Sequence, residues 1–337
     1  MRRSSGILGG EKCSRGSREE IREMFDHTFT NYMDHAFPDD ELKPISCSGR
    51  RREGANPRGH MDDAMGDYSL TLVDAADTLV VLGDYETFEK SVADMIAHVS
   101  FDRDVDVNLF ELNIRMLGGL LSSHMLAVRL RNETLSGRKG ELFSYQEKIV
   151  EEIQRNVKGD MSAAQKRLVD QVEQKKGYLE SYDGELLRLA NDLGTRMLPA
   201  FLTATGIPRS KINLRFGQLE RDDGENCLAG AGTFTLEMIM LSELTGYPVY
   251  QDVAIRSLKT LCNQVSSNGL IPGMLNVDTG RVRGSTAHIG AGSDSFYEYV
   301  YKTAQITGDP ELDRCFTKVR ALHVIGTKEC TQLMGML

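Results

Sequence analysis

The stretch Phe110-Glu111-Leu112-Asn113-Ile114-Arg115-Met116-Leu117-Gly118-Gly119-Leu120-Leu121 decides how this chain is read. Its apolar residues recur at helical spacing, the pattern of a buried helix. Glu111 and Arg115 are set into it four residues apart, where side chains on one helix face can meet. Gly118 and Gly119 each weaken a helix by about 1 kcal/mol relative to Ala, so close packing against the backbone is expected there. Beyond this stretch the helical period dominates. It predicts helices at about 17–35, 69–82, 86–98, 107–130, 178–196, 231–245, 249–264, 293–307 and 310–325. Strand-like alternation is scarce, at most Leu270 to Val277.

Two segments repeat in outline. Glu243-Leu244-Thr245-Gly246-Tyr247-Pro248-Val249-Tyr250 ends one helix and begins another, and Ala304-Gln305-Ile306-Thr307-Gly308-Asp309-Pro310-Glu311 does the same. A Gly stop followed by a Pro start marks consecutive helical hairpins. Serial hairpins imply an all-α array, and the lack of a fixed period favours a closed α/α barrel over an open solenoid. Residues 131–177 are dense in charge and poor in aromatics, and read as an exposed helical excursion or charged insertion. Residues 48–62 read as a flexible loop.

The bulk properties bound the function. The 337 residues are 40% hydrophobic and 26% charged, as in an ordinary globular protein. A net charge of -9 argues against a nucleic-acid partner, which would need a basic face. No apolar run approaches the roughly 20 residues that span a bilayer. Residues 1–16 hold Arg2, Arg3, Lys12 and Arg15 around Gly6-Ile7-Leu8-Gly9-Gly10, too short an apolar segment for a signal peptide. They are expected to be disordered or a misassigned start. The six cysteines (Cys13, Cys47, Cys227, Cys262, Cys315 and Cys330) are widely spaced without a zinc pattern, leaving room for one or two disulfides in an oxidising compartment. Asn132-Glu133-Thr134 is the one glycosylation sequon.

Four acids enter apolar helices. For Glu111, a structural ion pair with Arg115 stands beside a sheltered general acid. Asp74, with Asp77 three residues on, stands either for capping and dipole contacts or for a polar pocket floor. Gly230-Ala231-Gly232-Thr233-Phe234-Thr235-Leu236-Glu237 is a Gly-rich turn running into a helix. It lacks the GK[ST] ending of a phosphate loop, and Glu237 is either a helix-edge polar group or a pocket acid. Asp294, in Gly292-Ser293-Asp294-Ser295-Phe296-Tyr297-Glu298-Tyr299, reads as an N-cap or as a second site carboxylate. Together with nearby Arg, Tyr and Phe they suit a sugar cavity, and two carboxyl groups on separate helices are what glycosidic cleavage needs. The seven histidines show no metal or triad spacing.

Five ordered motifs carry a resemblance. They are Ala36-Phe37-Pro38-Asp39-Asp40-Glu41-Leu42-Lys43-Pro44, Tyr68-Ser69-Leu70-Thr71-Leu72-Val73-Asp74, the Glu111 stretch, Leu198-Pro199-Ala200-Phe201, and Gly290-Ala291-Gly292-Ser293-Asp294-Ser295-Phe296-Tyr297-Glu298-Tyr299. Over roughly residues 18–320 the chain resembles glycoside hydrolase family 47, the class I α-mannosidases, nearest its branch of endoplasmic-reticulum degradation-enhancing proteins. The resemblance implies an (α/α)7 barrel, here with about five hairpins: an incomplete mannosidase domain at 17–325 and a divergent tail at 326–337. It implies an inverting, calcium-dependent α-1,2-mannosidase that trims N-glycans in the endoplasmic-reticulum lumen. Glu111 matches the general acid and Asp294 a second catalytic carboxylate, while Arg115, Glu237 and Asp74 match substrate-binding positions. Gly292 replaces an Arg found in members that remove one specific mannose. No segment after Asp294 matches the family's Arg-Pro-Glu motif or its calcium-ligand Thr, so no metal ligand is assigned and little hydrolysis is expected of this polypeptide alone. A glycan-binding adaptor in the same pathway is the alternative. Implied partners are misfolded N-glycosylated proteins and a thioredoxin-like oxidoreductase joined through a cysteine.

Overall fold

The computed structural model of the chain describes residues 6–52, 58–135, 178–219, 223–265, 271–284 and 287–319. The chain divides into two compact units, one formed by residues 1–55, 67–99 and 125–183, the other by 56–66, 100–124 and 184–337.

In the first unit, helix α1 (Gly6–His35) begins well ahead of the expected start near residue 17. A hairpin follows, β1 (Glu41–Lys43) antiparallel to β2 (Ser48–Arg50), with Leu42 opposite Gly49. The flexible loop expected from residue 48 is thus partly a strand. Helices α2 (Leu70–Leu82) and α3 (Tyr85–His98) form a tight pair, Asp84 capping α3 by accepting the Thr87 N–H. Asp40 organises the approach to α2. Its buried carboxylate accepts the N–H groups of Asp67 at 2.7 Å, Tyr68 at 2.9 Å and Leu70 at 3.0 Å. Asp67 and Ser69 there adopt positive φ, a backbone that those three bonds stabilise.

In the second unit, a 3-10 turn (Gly59–Ala64) takes up residues 59–62 of the expected loop. Arg58 donates through its backbone and its guanidinium to Asp62, and Lys211 meets the buried Asp63 at 2.6 Å. β3 (Asp106–Asn108) pairs with β4 (Lys211–Asn213). The single helix expected over 107–130 is a composite: α4 (Leu109–Glu111), a π-helical stretch (Leu112–Leu117), then α5 (Gly118–Leu135). It starts after Asn108, whose side chain accepts the Glu111 N–H at 3.0 Å and so switches strand to helix.

α6 (Glu185–Met197), α7 (Leu228–Gly232), α8 (Thr235–Thr245), α9 (Val249–Cys262) and α10 (Asp294–Thr307) follow, and residues 310–319 are helical. β5 (Glu225–Cys227), β6 (Met274–Asn276) and β7 (Val282–Arg283) make a small antiparallel sheet, more strand than the sequence suggests. Both hairpin signals hold: Gly246 (φ +77°) and Gly308 (φ +67°) end α8 and α10 in the left-handed region that glycine adopts freely.

α7, α9, α10 and residues 310–319 enclose a core containing Leu228, Leu258, Leu261, Phe296, Val300 and Leu312. Cys262 and Cys315, on its edge, form a disulfide with Cα atoms 5.8 Å apart. Most of the charged insertion, the tail and Cys330 lie outside the described residues.

Candidate active site

Three of the predicted acids, Glu111, Glu237 and Asp294, together with Arg115, belong to the second unit, on elements that pack together. The fully buried Asn113 joins them. Its amide nitrogen donates to the Glu237 carboxylate (Oε2) at 2.7 Å and to the Thr233 carbonyl at 3.1 Å. The other Glu237 oxygen, Oε1, accepts the Tyr299 hydroxyl at 2.6 Å. A second path leads from the Thr233 hydroxyl to Ser295 Oγ at 2.9 Å, and the Ser295 N–H donates to Asp294 Oδ1 at 2.9 Å. The helix carrying Glu111 is thus tied through Asn113 to α8 and to the start of α10, where Asp294 sits.

The local sequence explains these placements. The π stretch accommodates an extra residue in the helix and carries Asn113 and Arg115; such bulges recur at functional sites. Gly118 ends it, and a Cβ there would lie 3.8 Å from Glu237 Cγ, an ordinary contact rather than the tight approach expected. Tight packing occurs instead at Gly232, where a Cβ would fall 2.6 Å from the Phe296 ring. The Gly-rich turn is therefore a close crossing of α7 and α10. Its residues 228–232 are buried, which excludes the weak phosphate-loop reading of that segment.

The four acids differ in environment. Glu237 is the sheltered one: burial pushes its carboxyl up, opposed by bonds from Tyr299 and Asn113 and by the Lys302 ammonium. The Tyr299 phenol is raised by its own burial and by the Glu237 charge, which keeps it a donor. Glu111 does pair with Arg115, at 2.7 Å, but 28% of its side chain is exposed, so the fully sheltered acid is not what forms. An i,i+4 pair this accessible contributes only about 0.3–0.5 kcal/mol, too little to explain the pair by stability. Asp294 is exposed and is the first residue of α10, Ser293 being the cap position, so the embedded N-cap is corrected. Asp74 lies exposed on α2 in the first unit.

Sequence reasoning missed Asn113, Tyr299 and the Thr233–Ser295 link. The signal for Asn113 was an amide in an otherwise apolar helix face. Its Oδ1 is buried with no donor among the described residues, a cost of about 1–3 kcal/mol.

No group of three or more His, Cys, Asp or Glu side chains that could hold a metal gathers among the described residues. Calcium takes six to eight oxygens. Both Glu237 oxygens already accept hydrogen bonds, and Asp294 turns one oxygen onto its own helix. Among the described residues these donors do not compose a calcium site.

Paired carboxylates on separate elements are what a glycoside hydrolase needs. The chain belongs to glycosyl hydrolase family 47, whose profile matches residues 24–325. ER degradation-enhancing alpha-mannosidase-like protein 3 of Homo sapiens is 38% identical over 312 residues, covering 89% of this chain and 29% of that protein. ER degradation-enhancing alpha-mannosidase-like protein 1 of Schizosaccharomyces pombe is 40% identical over 294 residues, 87% and 32% respectively. Alpha-mannosidase I MNS5 of Arabidopsis thaliana is 37% identical over 302 residues, 89% and 45%. The chain spans less than half the length of these three relatives. The alpha-1,2-mannosidase from Trichoderma reesei aligns in structure with a TM-score of 0.63, over 92% of this chain and 54% of that one, at 23% identity. The shared fold is the α/α barrel that the serial hairpins predict.

Proposed function

We propose that this chain carries the sugar-binding half of an α-1,2-mannosidase site that acts on N-glycans of misfolded glycoproteins in the endoplasmic-reticulum lumen. The observation that carries the reading is the hydrogen-bonded set Asn113–Glu237–Tyr299. It links the helix of Glu111 and Arg115 to the helix that begins with Asp294. A hexose presents several hydroxyls that fixed carboxylates can accept, and Arg115 offers a cation at the rim.

In this reading Glu111 is the general acid and protonates the leaving oxygen; Arg115, 2.7 Å away, holds it in place. Asp294 is a second carboxylate, and Glu237 orients the sugar. Inversion requires two carboxyl groups about 6.5–9.5 Å apart with water between them. The relatives' names and the Cys262–Cys315 disulfide, a bond of oxidising compartments, support a lumenal setting. No helix among the described residues is long and apolar enough to cross a membrane. Misfolded N-glycosylated proteins and a thioredoxin-like oxidoreductase are the proposed partners.

The test is mannose release from an oligomannose N-glycan with α-1,2-linked termini. The expected result is glycan binding with little or no mannose release by this polypeptide alone. Release of β-mannose as the first product, abolished in Glu111→Gln, would instead show that the chain carries a working catalytic set, and absence of glycan binding would overturn the reading.

A further inference from the structure

We propose that Asn113 and Tyr299 are positioning residues for Glu237, one on each carboxylate oxygen, holding it in a single orientation as the acceptor for a hexose hydroxyl. The inference rests on the mannose-site reading and gives a task to two side chains that need not touch sugar.

Three observations lead to it. The two donors reach Glu237 from different elements, Asn113 from the π stretch at 2.7 Å and Tyr299 from α10 at 2.6 Å. Both are buried, Asn113 at 0% exposure and Tyr299 at 7%. A carboxylate has about four lone-pair sites, and Asn113, Tyr299 and the residue's own N–H take three, so one remains for a hexose hydroxyl.

The Asn113 amide also has no freedom to turn over. Its nitrogen faces two acceptors, the Thr233 carbonyl and Glu237, which fixes the assignment of nitrogen and oxygen chemically. In that orientation Oδ1 has no donor among the described residues.

The charged surroundings agree. Burial raises the Glu237 carboxyl, while the bonds from Tyr299 and Asn113, its own helix N–H and the Lys302 ammonium on α10 favour the ionised form. α6 and α9 also pack on α8, and the Tyr250 hydroxyl there is engaged by Asn191 and Thr195 instead. Without its two donors, Glu237 at this depth would take up a proton more readily and lose its fixed orientation.

The experiment compares the full chain with Tyr299→Phe, Asn113→Ala and Thr303→Val. The last breaks the buried Thr235–Thr303 hydroxyl pair between α8 and α10 without touching Glu237. Carboxyl carbon-13 NMR follows the Glu237 titration, assigned by its loss in Glu237→Gln, and methyl α-D-mannopyranoside is the binding probe. The expected result is a titration midpoint about one unit or more higher in Tyr299→Phe and in Asn113→Ala, because a hydrogen bond to the ionised form is lost. Mannoside binding should weaken about tenfold in both. Thr303→Val should lower the melting temperature and leave the Glu237 midpoint in place. A midpoint unmoved in both Tyr299→Phe and Asn113→Ala overturns the proposal. If the midpoints move as expected but the wild type binds no mannoside, the positioning of Glu237 stands and the mannose reading falls.

Discussion

The Cys262–Cys315 disulfide should carry much of the stability of the second unit. It ties the end of α9 to helical residues 310–319 across a separation of 53 residues. In the chain-entropy treatment a loop of that length removes about 14 cal/mol/K from the unfolded ensemble, or about 4 kcal/mol at 25 °C. The perturbation is the double change Cys262→Ala and Cys315→Ala. Alanine avoids placing a hydroxyl among the apolar neighbours Leu258, Leu261 and Leu312. Because the chain has no Trp, urea unfolding is followed by far-UV circular dichroism. The expected loss is about 3–4 kcal/mol, or roughly 6–16 °C in melting temperature for a unit of this size. Wild type unfolded and refolded with reductant should match the variant. A loss under about 1 kcal/mol, or a reduced wild type as stable as the oxidised one, would refute the reasoning.

Further expectations concern packing, pH and modification. Gly232→Ala drives a methyl into the Phe296 ring and should destabilise by about 1–3 kcal/mol, whereas Gly118→Ala meets only ordinary contacts and should gain up to about 1 kcal/mol; chemical denaturation of both reads the difference. A carboxyl raised by folding binds its proton in the native state first, so stability should fall as pH rises from the ordinary Glu value, about 4.3, through the higher value of Glu237. Glu237→Gln should flatten that part of the pH–stability curve, and an unchanged slope would contradict the assignment. The exposed Asn132, in its Asn-Glu-Thr sequon on α5, should carry an N-glycan when the protein passes through the secretory pathway; a mobility shift on endoglycosidase treatment, absent in Asn132→Gln, is the readout.

Much of the helical framework was legible because its signals are local. Gly246 and Gly308 stop helices, Pro248 precedes a helix, and apolar spacing marks α2, α3, α9 and α10 within a residue or two. The composite helix was not legible, because a π stretch arises from tertiary accommodation of Asn113 rather than from propensity. The small sheets escaped for a similar reason: strands of two or three residues have too few positions to show alternation. In the site, Glu237 stood out as an acid in an apolar helix, and it is the most sheltered of the four. Exposure could not be read for Glu111 or Asp294, since helix position fixes a face only relative to neighbours that the sequence leaves unplaced. Tyr299 was visible only as part of a motif, and its bond to Glu237, 62 residues away in sequence, is a product of the fold.

A mannosidase site on this chain must bind terminal α-linked mannose through Glu237 and Asp294. Isothermal titration of the purified chain with α-1,2-linked mannobiose measures it. The predicted result is saturable binding that weakens at least tenfold in both Glu237→Gln and Asp294→Asn. Absence of binding, or binding indifferent to Glu237 and Asp294, would contradict it.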